Sequence, residues 1–311
     1  MMTRRGFLNA SVAGTLTLAS GGVAEAGQTA AAERGQTRAS SPTAPSKPPA
    51  QVEQAWAMLG TLSQSSNLQR RRYAASGYAL LASGNSRALG LVTKMLSSDK
   101  DPELRSFAAS SLGQERVRAS IPALRRSLND PATAVAFAAA KSLWDMKDRS
   151  GAVVFREVLM GERKDSTGMI TGYMNDARRR MHDPKGLAVL GINEAVGAFL
   201  GPAGMALSFA EQNFKDKGAP GRALAAGILA GDPSSESKKE LESALQDSSP
   251  VVRAAACRSL AVIGDTSSIP LIESLFDDKN DAARAMASAA YLQLWEKQTV
   301  RRSRSRGPKK G

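Results

Sequence analysis

One cysteine and one histidine stand in a chain of 311 residues. Cys257 alone can close no internal disulfide, and Cys257 with His182 falls short of a Cys/His zinc site. About 75 positions separate the two, so a Cys-His nucleophile would need a basic surface stretch to meet a helix interior. Aromatic residues make up 5% of the sequence. With Ala and Leu abundant, that scarcity argues against a β-sandwich and for helices packed through small residues. There is no Gly-x-x-x-x-Gly-Lys phosphate loop. No catalytic constellation is found, so the chain is expected to be no enzyme, with no cofactor and no metal.

What is present is a repeat. Counting from Arg253, the same frame falls on Arg72, Arg105, Ala136, Arg222, Arg253 and Arg284, at steps of 33, 31, 86, 31 and 31 residues. Three residues on, every copy has alanine: Ala75, Ala108, Ala139, Ala225, Ala256 and Ala287. Seven on stand Ala79, Leu112, Leu143, Leu229, Leu260 and Tyr291. Offsets of three and seven share one helix face, and a strictly small residue there lets two backbones approach. A second helix follows, with apolar pairs at plus nineteen and plus twenty-three: Leu91 and Met95, Leu124 and Leu128, Phe155 and Leu159, Leu241 and Leu245, Ile272 and Phe276. Asp101-Pro102, Asp130-Pro131 and Ser249-Pro250 read as cap-then-proline helix entries. Each helix pair exposes an apolar stripe that only a stacked neighbour can cover, which predicts a quasi-one-dimensional solenoid.

Two short helices per roughly 31 residues, Asp-Pro at the start, Ala-Ala in the first helix and Ile121-Pro122 or Ile269-Pro270 opening the second resemble HEAT repeats, of the short bacterial kind also found in phycobilin lyases. The resemblance covers 67–160 and 216–295, leaves the last unit incomplete, and implies an all-α solenoid of about six helical hairpins. It implies a fold rather than an activity; the His-Glu pairs of metal-dependent HEAT hydroxylases are missing. It also gives a role to the position six before zero, which is aspartate in five copies. Asp99, Asp130, Asp216, Asp247 and Asp278, with Arg105, Arg222, Arg253 and Arg284, resemble the Asp/Arg ladder that ties HEAT units to their neighbours. The alternative, a row of arginines that binds anions, is disfavoured because the aspartates would cancel its field.

Outside the repeats, Thr3 to Asn9 resembles a bacterial twin-arginine export motif, with Arg4, Arg5, Phe7 and Leu8 in place and Ala24-Glu25-Ala26 as the cleavage site. A general secretory signal is the competing reading. Residues 1–26 are therefore expected to be a signal peptide and the protein to reach the periplasm or cell envelope. Residues 27–51, rich in Ala, Ser and Pro, read as a disordered tether, 52–297 as the solenoid, and 298–311 as a basic disordered tail. Of the net charge of +13, Arg301 to Lys310 supply six, and the signal and tether about three more. The solenoid is left close to neutral. An exported basic tail suits weak contact with anionic membrane or envelope polymers rather than nucleic acid.

The long step is one repeat plus about 55 residues, an insertion over 162–215. Its second half is strongly apolar and reads as a helical hairpin with arms shorter than the roughly 20 residues a membrane span needs. It could pack on a solenoid face, touch a membrane surface, or bind a partner; for the last, Leu187, Leu190, Val196, Phe199, Leu200, Met205 and Phe209 are the candidate contacts. The leading expectation is a non-enzymatic scaffold for another protein. The alternatives are a lyase-like accessory holding a small ligand in the groove and a peripheral membrane binder.

Overall fold

The computed structural model describes residues 49–162, 216 and 218–305. Among them lie twelve α-helices and no strand. The first helices of the repeats are α2 (Leu68–Leu81), α4 (Pro102–Gln114), α6 (Thr133–Asp145), α8 (Ala219–Leu229), α10 (Pro250–Ile263) and α12 (Asp281–Ser305). The second helices are α3 (Ser86–Ser98), α5 (Ile121–Ser127), α7 (Ala152–Leu159), α9 (Ser235–Ala244) and α11 (Ile269–Glu273), and α1 (Ala50–Ser63) precedes them all. Of the expected entries, Asp101 caps α4, accepting from the Glu103 amide with Pro102 behind it. Ser249 precedes Pro250 without a side-chain cap bond, and Asp130-Pro131 lies ahead of α6, whose cap position is Ala132. Asn67 caps α2, accepting from the Gln69 and Arg70 amides.

The first helices pack on one another, but not in chain order. They run α8, α10, α12, then α2, α4, α6, so the amino-terminal repeat sits on the carboxy-terminal one. A recurrent contact shows that this junction is a true stacking step. Ser142 on α6 donates to the Ala109 carbonyl of α4 at 2.9 Å, and Ser259 on α10 to the Ala226 carbonyl of α8 at 2.8 Å. The corresponding place on α2 is Gly77, where a Cβ would meet the Ala289 Cβ at 3.4 Å and the Ala285 carbonyl at 3.5 Å, both on α12. Those are ordinary contacts; the close one is with the Leu59 Cδ2 of α1, which a Cβ would meet at 2.8 Å, so glycine makes room for α1 at this junction.

Helix α1 explains the incomplete last unit. It packs against α12 and α2 through buried Ala55, Leu59 and Leu62, taking the place of the second helix that α12 lacks. Arg70–Asp281 at 2.7 Å and an Asn85–Glu296 hydrogen bond fasten the same seam. Across the array, Arg258 on α10 reaches Glu115 beyond α4 at 2.9 Å. An ion pair that passes over two intervening helices requires the row of first helices to curve tightly.

Several expectations change. The ladder arginine of the first unit is Arg71, not Arg72: Arg71 bonds the Ser65 and Ser66 carbonyls and pairs with Asp99 at 3.2 Å, while Arg72 pairs with Glu103. The second helix of that unit departs from the frame in the other direction: Val92 and Leu96 are buried, and the expected Leu91 and Met95 are half-buried. Ala50 and Gln51, expected in the tether, already belong to α1. The tail is helical as far as Ser305, since nothing in Gln298–Ser305 breaks α12 and proline first recurs at Pro308. The signal residues Arg4, Arg5, Phe7, Leu8, Ala24 and Ala26 lie outside the described residues, as do Leu187, Leu190, Val196, Phe199, Leu200, Met205 and Phe209.

A candidate interaction surface at the end of the repeat array

The ladder locates this surface. Arg105, Arg222 and Arg253 each grip the aspartate of the next unit through two nitrogens, to Asp130 at 2.8 and 2.9 Å, to Asp247 at 2.8 Å twice, and to Asp278 at 2.7 Å twice. Such forked pairs fix both distance and orientation. Arg284 is not a rung; it pairs with Asp281 on its own helix. Asp216 pairs with Arg222 inside its own unit at 2.6 Å. On α6 the zero position is Ala136, so the row of arginines stops there. The described array therefore ends at α6–α7 on one side and α8–α9 on the other.

The rungs also titrate. Hydrogen bonds from Arg222 hold the Asp247 carboxyl below the usual range. At Asp278 burial pushes upward, but Arg253 and the Asn280 amide more than offset it, and the net shift is down. Lys238, on the preceding second helix, brings Asp265 down to about 2. A carboxylate depressed in the folded state adds stability that is complete above its unfolded value of about 3.9 and disappears as pH falls through the folded one. The melting temperature should accordingly hold between about pH 5 and 7 and fall steeply from about pH 4 to 2; a flat profile in thermal circular dichroism over that window would show the ladder contributes nothing.

At the α6–α7 end part of the apolar surface is exposed, and no described unit packs on it. Phe155 meets Phe137 edge-on at 5.4 Å and Trp144 at 5.8 Å. Trp144 is 42% exposed, Leu159 86% and Met160 68%. Leu159, expected in the core at plus twenty-three, is bare because no described unit follows it. At the other end Ile228, on α8, is 54% exposed. It occupies the place where Ser142 and Ser259 bond a preceding unit, and no described unit precedes it.

Beside the aromatic face runs a basic edge made by two neighbouring turns. Arg116 and Lys147 hold equivalent places and both adopt left-handed backbone, φ 49° and 68°. Their counterpart in the α10–α11 turn is Gly264, φ 79°. Two residues on stand Arg118 and Arg149, and all four side chains are exposed. Arg149 lies over the Trp144 ring at 3.6 Å and so joins the edge to the face. Asp148, between Lys147 and Arg149, is taken by Arg125 of the preceding unit at 2.7 Å, and Glu115 by Arg258.

Elsewhere the chemistry is sparse. Burial pushes the Cys257 thiol up to about 12, far from a thiolate at neutral pH. No group of three His, Cys, Asp or Glu side chains among the described residues could hold a metal ion, and no described helix is long and apolar enough to cross a membrane. A hollow of about 320 Å3 at the α2–α12 seam is lined by Asn67, Gln69, Arg70, Tyr73, Lys279, Asn280 and Asp281, mostly polar and open.

Residues 57–164 and 210–293 match the HEAT-repeat family, well over half of the chain. The chain belongs to the HEAT-repeat family. Human deoxyhypusine hydroxylase is similar at 18% identity over 80% of this chain and 98% of its own, with a TM-score of 0.32. The CpcE–CpcF complex of phycocyanin lyase from Nostoc is similar at 20% identity, over 81% and 99%, with a TM-score of 0.30. An engineered protein follows at 17% identity, over 80% and 97%, with a TM-score of 0.22. No curated protein matches the sequence. The unmatched stretch begins a few residues beyond the bare HEAT unit α6–α7. Sequence reasoning passed over that unit's face, although Ala136, the one zero position without arginine, marked where the HEAT ladder stops.

Proposed function

We propose that this HEAT-repeat protein is an exported, non-catalytic scaffold that holds another protein against its α6–α7 end. The supporting observation is the bare face of Trp144, Phe155, Leu159 and Met160 on the unit where the ladder stops. Terminal units of soluble repeat arrays ordinarily turn a polar side outward. An uncovered aromatic and aliphatic patch marks a contact surface instead. Export rests on the signal-like residues 3–26, and the apolar residues Leu187 to Phe209 extend the proposed contact further along the chain. The exposed Arg301, Arg302 and Arg304 at the end of α12 suit an additional weak contact with anionic envelope material.

The test is a double substitution, Leu159→Asp with Met160→Asp. Both side chains are largely exposed, so the melting temperature should stay within a few degrees of wild type. Recovery from cell-envelope extract of the protein that wild type captures should fall at least about tenfold, the cost of roughly 1.4 kcal/mol at the contact. Equal recovery by the variant would sink the proposal.

A further inference from the structure

We infer that the edge formed by Arg116, Arg118, Lys147 and Arg149 docks an acidic segment of a partner protein. This rests on the scaffold reading above and adds the chemistry of what is bound. The four cations come from equivalent places in two adjacent units, so they form a short row rather than a scatter, and no carboxylate among the described residues pairs with them. The neighbouring acids are already engaged: Glu115 by Arg258, Asp148 by Arg125, and Asp145 by Lys141 at 2.7 Å.

Backbone conformation sets the row apart from an ordinary solvated face. The turn needs a residue with positive φ, and Gly264 fills that need without strain. Arg116 and Lys147 fill it at a steric cost that glycine would remove. Strain kept at equivalent positions of two neighbouring turns, each time by a cation, marks a requirement for the charge.

An interleaved carboxylate chooses the occupant. Glu115 and Asp148 are largely covered by their arginines, but Asp145 is 46% exposed. A polyanion of uniform high density, such as duplex nucleic acid or an anionic bilayer, would lie against it as well as the cations. A protein segment can place its carboxylates at intervals and an apolar side chain on the adjoining Trp144 face. The chain's own residues 163–185 are a poor fit, with six Lys or Arg against three Asp.

The probe is a fluorescein-labelled peptide of repeating Glu-Glu-Leu, titrated with the full chain by fluorescence anisotropy. Binding should be salt-dependent, weakening about tenfold between roughly 50 and 300 mM salt. The double variant Arg116→Gly, Lys147→Gly should lose about tenfold in affinity while melting no lower than wild type, because glycine relieves the turns. Unchanged peptide affinity in that variant overturns the inference. So does tighter binding of duplex DNA or phosphatidylglycerol vesicles than of the peptide, or a carboxylate supply from a second copy, seen as self-association in light scattering. The two readings fail separately. Loss of the native partner in Leu159→Asp, Met160→Asp but not in the glycine variant would leave the apolar face standing and remove the acidic segment; the reverse would keep the edge and remove the face.

Discussion

Arg253→Ala should lower the stability of the folded chain by about 3 kcal/mol, since removing one partner leaves the other charge buried and unpaired. Asp278 keeps only 9% of its side chain exposed and would retain the Asn280 amide as its sole strong partner. The Asp247 and Ser248 carbonyls, which also accept from Arg253, would lose their donor. In a chain of this size such a loss moves the melting temperature by roughly 5 °C. Arg222→Ala supplies the control. Its forked geometry to Asp247 is the same, yet the arginine is 41% exposed, so water can replace the lost bonds. The loss there should be about 1 kcal/mol or less. Equal effects in thermal unfolding would mean that burial does not govern the rungs.

Leu260→Ala should cost about 2–5 kcal/mol, the range for emptying a well-packed site. Leu260 is 1% exposed on α10, between α8 and α12, where neighbours on both sides and α9 limit collapse. Leu159→Ala should change stability by a few tenths of a kcal/mol at most, because that leucine is already in water. Urea titration of both variants checks the pair; a small loss at Leu260 would place that residue outside the stacking interface.

Much of this was legible from the spacing. Ala256 and Leu260 are buried as offsets of three and seven require, and Asp247 and Asp278 meet Arg222 and Arg253 as the ladder pattern implies. The first unit misled by one residue because three arginines stand in a row, and periodicity cannot tell which of Arg70, Arg71 and Arg72 turns toward Asp99. Leu159 misled for a different reason. Its sequence position matches Leu128 and Phe276, but burial depends on the neighbouring unit, and that is a fact about position in the array. The basic edge was invisible for a related cause: Arg116 and Lys147 look like ordinary surface residues until their backbone is seen to be left-handed.

The repeat frame, the all-helical class and the residues inside each helix pair follow from the amino-acid sequence alone, because they depend on contacts within a unit or between units of the same pattern. The tertiary structure alone decided which units touch. Helix α1 completes the unit opened by α12, and α2 stacks on α12, because Leu59 and Gly77 fit a face that no local pattern could assign to them. That junction moves the break in the repeats from the middle of the array to its two ends. There it leaves Trp144 and Leu159 exposed beside a row of cations that no described carboxylate pairs.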